Sequence, residues 1–109
     1  MLIPEAEALS LQSLITSTDT GVASRVLARS AGGNVTLFAF DAGKGLAEHT
    51  TAADALAQVL EGSITFTIGG TAVSAEEGTI VRLPANIPHA VEAPEAARML
   101  LIMLKDSAG

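Results

Sequence analysis

Apolar and polar positions alternate with a period of two in short runs, and Gly or Pro separates the runs. The clearest run is 63–68, where Ile64, Phe66 and Ile68 alternate with Thr65 and Thr67. That pattern predicts a strand with one apolar face. Gly69-Gly70 follows, a two-residue turn in which both residues can take positive φ, and 71–74 pairs back as a hairpin. Residues 21–29 alternate partly. Val22, Ser24, Val26 and Ala28 share one face. Ala23, Arg25, Leu27 and Arg29 share the other, which the arginines mark as the wet side. Ala31-Gly32-Gly33-Asn34 is a turn signal. Residues 35–40 are apolar on nearly both faces, as in a strand held between two layers. Residues 41–45 break that run.

Residues 55–62 contain good helix formers, yet their place between turn signals predicts a strand that Gly62 ends. Residues 75–78 read as a polar turn, 79–83 as a short strand stopped by Pro84, and 90–93 as another short strand. Pro84 and Pro88 fix φ and lack amide donors, so 83–89 is a stiff loop. Residues 94–97 turn, and 98–104 form a last strand, apolar on both faces. Upstream, 6–16 has apolar spacing for one or two helical turns or an irregular arm; its serines and threonines weaken a long helix. Residues 16–21 read as a loop, and 105–109 as a polar tail. Many short strands with such punctuation indicate an all-β sandwich or barrel. The expected organisation is an N-terminal arm over 1–20 and one barrel domain over 21–109.

Composition narrows the reading further. A chain of 109 residues makes one domain, and a core this small gains from pairing with a second copy. Only three aromatics are present, all Phe, so the core must be built from Val, Ile, Leu, Met, Ala and those three Phe. The absence of cysteine excludes disulfides, zinc–thiolate sites and cysteine nucleophiles, and fits a cytoplasmic setting. The first residues lack the basic and apolar regions of a signal peptide, and no apolar run reaches bilayer length. A net charge of −6 with no basic cluster argues against nucleic acid or anionic membrane as a partner.

The chemistry concentrates in two segments. Ala47-Glu48-His49-Thr50-Thr51 and Pro84-Ala85-Asn86-Ile87-Pro88-His89 hold the two histidines of the chain. Gly43, His49 and Gly62 stand at the spacing of the first cupin motif, a glycine, a His-x-His pair, a glutamate and a closing glycine. Gly78, Pro84 and His89 stand at that of the second. The span 35–104 therefore resembles a small single-domain cupin of the conserved-barrel type. The resemblance implies a double-stranded β-helix, or jelly-roll, barrel that brings His49 and His89 into one pocket. It also implies a metal held by three histidines and one carboxylate. Here Thr51 stands where the family has its second histidine and Ala55 where it has its glutamate. Asn86 replaces a glycine, and Ala93 replaces the closing asparagine. Two of the four ligands are missing.

Two imidazoles alone hold a divalent transition metal weakly, because catalytic zinc and non-haem iron take three protein ligands. Asp54, beside the lost glutamate position, is the candidate third ligand. Glu48 points away from His49 by strand parity, and Gln58 faces outward. Each histidine also has a plainer reading, a packed ring bonded to a backbone carbonyl. Arg82 reads as a wet-face arginine or a carboxylate clamp. The expected function is binding of a small organic molecule in a pocket lined by His49, Thr51 and His89, with weak or no metal. The alternative is a metal-dependent oxygenase, isomerase or lyase using His49 and His89. A homodimer is expected from the two-sided apolar strands at 35–40 and 98–104.

Overall fold

The computed structural model describes residues 2–16 and 21–105. Among the described residues, nine strands follow a single 3-10 turn at Leu11–Ser13. They are β1 (Val22–Ser30), β2 (Gly33–Phe40), β3 (Lys44–His49), β4 (Asp54–Glu61), β5 (Ser63–Ile68), β6 (Thr71–Glu76), β7 (Ile80–Leu83), β8 (His89–Ala93) and β9 (Ala97–Leu104). One sheet has the order β1-β2-β9-β4-β7, the other β3-β8-β5-β6, and every pairing is antiparallel. Strands distant in the chain thus become neighbours: β2 lies beside β9, and β3 beside β8. This is the jelly-roll arrangement that the cupin resemblance implied.

The two sheets close over one apolar core. Phe40, Phe66, Ile64, Val59, Leu83 and Met99 are its largest members, all essentially without solvent contact. Alternation explains the membership. On β5, Ile64 and Phe66 point in while Thr65 and Thr67 stay partly wet. On β4, Ala55, Ala57 and Val59 point in, which settles the helix–strand ambiguity of that segment in favour of the strand. Burial of such side chains, at roughly 25 cal/mol per Å² of apolar surface, is the main stabilising contribution.

The N-terminal arm forms a second layer outside the first sheet. Ile15, Leu27, Leu37 and Ala39 make a separate buried cluster, with Ile3 and Leu14 packed against it. The Ile3 amide donates to the Leu27 carbonyl at 3.0 Å, and Arg25 Nη1 donates to the Leu14 carbonyl at 3.2 Å. This layer explains why β2 is apolar on both faces. It also corrects the expectation of a wet arginine face on β1. Leu27 on that face is buried, and Arg25 is half-buried under the arm. The expected polar turn at 75–78 is shorter than its sequence suggests, because β6 continues through Ala75, which is buried, to Glu76. The expected loop at 16–21 and the polar tail fall mostly on residues outside those described.

Candidate functional site

The pairing of β3 with β8 decides the site. His49 is the cross-strand partner of His89, and His89 is in turn the partner of Ile68 on β5. Three residues therefore stand in one row across the second sheet. The imidazole centroids are 4.4 Å apart with planes inclined by 67°, an edge-to-face contact. His89 is buried, on the same face as Val91 and Ala93 of the core. His49 is exposed. Between Leu46 and His49, β3 advances three residues against two on β8. That bulge is what turns His49 onto the face that Leu46 shares with the core.

Both rings are anchored alike. His49 Nδ1 lies 2.9 Å from the Ala47 carbonyl oxygen, and His89 Nδ1 lies 3.3 Å from that of Ile87. A carbonyl only accepts, so each Nδ1 carries the proton and each neutral ring keeps its Nε2 lone pair free. Each ring is bonded to a backbone carbonyl, and the two rings stand side by side.

Burial pushes the His89 imidazole below its ordinary 6.5, against the bond to Ile87 and with added repulsion from His49. The unfolded chain then takes up the proton first as pH falls. Stability is full above 6.5 and declines as pH drops through the folded-state value. Asp54 is held below its ordinary 3.8, first by its bond from Arg82 and then by the Ala85 amide, so its contribution is lost only as pH falls below 3.8. Urea midpoints measured across these two windows should show two separate declines, the upper one absent in His89→Gln and the lower one absent in Asp54→Asn.

The loop between β7 and β8 sets the position of His89, and three clasps hold it. The Asn86 amide donates to the Thr51 carbonyl at 2.8 Å, and the Gly69 amide to the Pro88 carbonyl at 2.8 Å. The Ala85 amide donates to Asp54 Oδ1 at 2.7 Å. Asn86 has φ of +64°, the left-handed region in which a glycine is ordinary and Asn is among the best-tolerated substitutes. The replacement of the motif glycine by Asn86 therefore preserves the turn.

The other residues singled out in the sequence are placed differently. The Thr51 hydroxyl donates to the Ala53 carbonyl at 3.0 Å, in the loop that joins β3 to β4. Asp54 Oδ2 accepts from Arg82 Nη2 at 2.7 Å, so both carboxylate oxygens are engaged. This pair lies on the outward face of β4, opposite to Ala55, and Arg82 has its plain wet-face role. Glu48 and Gln58 are exposed. The clasp role of Asp54 carries no sequence signal, because it depends on the register of β4 against β7.

The family model for the cupin domain matches residues 36–104. The chain belongs to the cupin family. This cupin is similar to a conserved protein of unknown function from Streptococcus pyogenes, with a TM-score of 0.88 and 31% identity over 96% of this chain and 92% of that one. It is similar to a cupin superfamily protein from Desulfitobacterium hafniense, with a TM-score of 0.87 and 28% identity over 97% of both chains. It also matches a cupin 2 conserved barrel domain protein from Leptotrichia buccalis at 33% identity and a TM-score of 0.83, covering 89% of this chain and 47% of that one. No curated protein matches the sequence.

The metal site that the fold family implies can be tested against these residues. Nδ1 bonds to carbonyls and free Nε2 lone pairs are what ligating histidines need. The remaining donors fail. The Thr51 hydroxyl is turned to Ala53, Ala55 offers only a buried methyl, and Asp54 is clasped on the outer face. Among the described residues, no group of three His, Cys, Asp or Glu side chains converges. Two imidazoles fall short of the three-ligand minimum for a tightly held divalent ion, so the residues do not fit a resident metal of that kind.

Proposed function

We propose that this cupin binds a small organic molecule at the end of the barrel where His49 and His89 meet, with Thr51 on the adjoining loop and with weak or no metal. The supporting observation is the paired rings, 4.4 Å apart, one buried and one exposed. With each Nδ1 held by a carbonyl, the Nε2 atoms of the neutral rings offer two hydrogen-bond acceptors, and the apolar Ile68 is the cross-strand neighbour of His89. Convergent polar groups on an apolar background are the usual character of a small-molecule site. A thermal-shift panel of neutral and charged metabolites, repeated on a His49→Ala, His89→Ala double variant, tests this. Stabilisation by a ligand that the double variant no longer feels is the expected result; a ligand bound equally by both would overturn it. Elemental analysis of protein purified without a nickel column should find substoichiometric metal. Stoichiometric iron, manganese or zinc would instead favour the metal-dependent oxygenase, isomerase or lyase alternative.

A homodimer belongs to the same proposal. The arm cluster covers β2 and reaches Leu60 and Leu100, so the surface offered to a second copy is the rest of the outward face of β9, β4 and β7. It carries Leu104 and Ile80, exposed at 48% and 58%, with Leu56 and Ile102 between them. Light scattering should give twice the chain mass at micromolar concentration, and Ile80→Glu should halve it. A cytoplasmic setting is part of this reading, on the cysteine-free composition. Among the described residues, no helix is long and apolar enough to cross a membrane.

A further inference from the structure

We propose that Arg29, Asn34 and Lys105 form a second site, separate from the histidines, that binds a small oxyanion: a carboxylate or phosphate group. The six cationic side chains of this acidic protein are not used alike. Arg25 donates to the Leu14 carbonyl, Arg82 to Asp54 and Arg98 to Glu61. Arg29, Lys44 and Lys105 have no such partner among the described residues. Two of these three line one cavity of about 180 Å³, together with Val26, Ser30, Gly33 and Asn34. Among the described residues, no acidic side chain lines it.

The backbone builds this convergence. Strict alternation would leave Arg29 on the outer face with Arg25 and Leu27. Instead β1 advances three residues from Val26 to Arg29 while β2 moves two, from Thr36 to Asn34. The bulge at Leu27 turns Arg29 to the face of Val26 and Asn34, as bulges re-aim side chains elsewhere. Thr36 Oγ1 donates to Asn34 Oδ1 at 3.1 Å, which fixes the amide and leaves its Nδ2 hydrogens as donors. The Lys105 amide donates to the Gly32 carbonyl at 2.8 Å and holds that residue against the β1–β2 turn. Arg29, Asn34 and Lys105 thus line one small space, which puts a guanidinium, a carboxamide N–H pair and an ammonium within reach of a single occupant. These groups donate only, and charge-assisted bonds to an oxyanion are the strong kind.

The test is an NMR titration of the isotopically labelled full chain at constant ionic strength, with inorganic phosphate, acetate and chloride as separate probes. The Asn34 side-chain amide and the Gly32 and Gly33 amides should move saturably with phosphate or acetate and not with chloride. Tighter phosphate identifies a phosphate-bearing ligand, tighter acetate a carboxylate, and either supports the site. Arg29→Gln should weaken binding by about tenfold, the effect of one charge-assisted hydrogen bond. Arg29→Lys should recover part of the loss, and the melting temperature of both variants should match that of the parent. Shifts that stay linear, that chloride reproduces, or that Arg29→Gln leaves unchanged would overturn the proposal.

Discussion

Gly45→Ala should part the two imidazoles. Gly45 pairs with Glu92 where β3 crosses β8, and a Cβ placed on it would lie 2.0 Å from the Val91 carbonyl oxygen and 2.9 Å from Glu92 Cα. Both are backbone atoms, so no side-chain rotation relieves the contact and the strands must separate. In its sheet β3 is an edge strand with β8 as its one neighbour, and it is the strand that yields. His49 lies farther along that strand. The expected results are loss of the ring-to-ring nuclear Overhauser effect between His49 and His89 and a stability loss of about 1–3 kcal/mol from overpacking. Gly43→Ala is the control. It has φ of +81° and nothing within 4 Å of its added Cβ. It should cost about 1–2 kcal/mol of backbone strain and keep the ring contact. If Gly45→Ala retains that contact, the close packing of β3 on β8 is not what holds the pair.

Phe66→Ala should produce the largest loss of stability of any single change considered. Phe66 has no solvent exposure and stands in the centre of the second sheet, opposite Val73 on β6 and Val91 on β8. The chain has three phenylalanines and no Trp or Tyr, so few side chains are large enough to relax into the void. Truncating a buried Phe costs about 3–5 kcal/mol, set against a total of about 5–15 kcal/mol for a typical domain. A urea titration should show a lower midpoint with an unchanged slope, and Phe66→Leu should fall between parent and Ala variant. A loss under about 1 kcal/mol would mean that this core is not the main source of cohesion.

Much of the architecture was readable from local pattern. The Gly69-Gly70 hairpin follows from glycine's freedom at positive φ, and both residues adopt it. Inward Ile64 and Phe66 follow from alternation alone. The two-motif spacing pointed to the barrel and to the pairing of His49 with His89. The arm was less readable. Its cluster of Ile15, Leu27, Leu37 and Ala39 needs contacts between the arm and strands β1 and β2, and nothing in residues 6–16 announces which face they cover. The reading of β1 as half wet failed for the same reason.

The sequence by itself determined the strand-rich class, the punctuation by Gly and Pro, and a ligand inventory of two histidines without a full metal set. These depend on residue identity and short-range sterics. The tertiary structure decided which way the key side chains turn. One bulge in β3 brings His49 to His89, and one in β1 brings Arg29 to Asn34. An extra residue in one strand inverts the facing of everything beyond it, and its position is set by the register of the partner strand, which the local sequence does not contain.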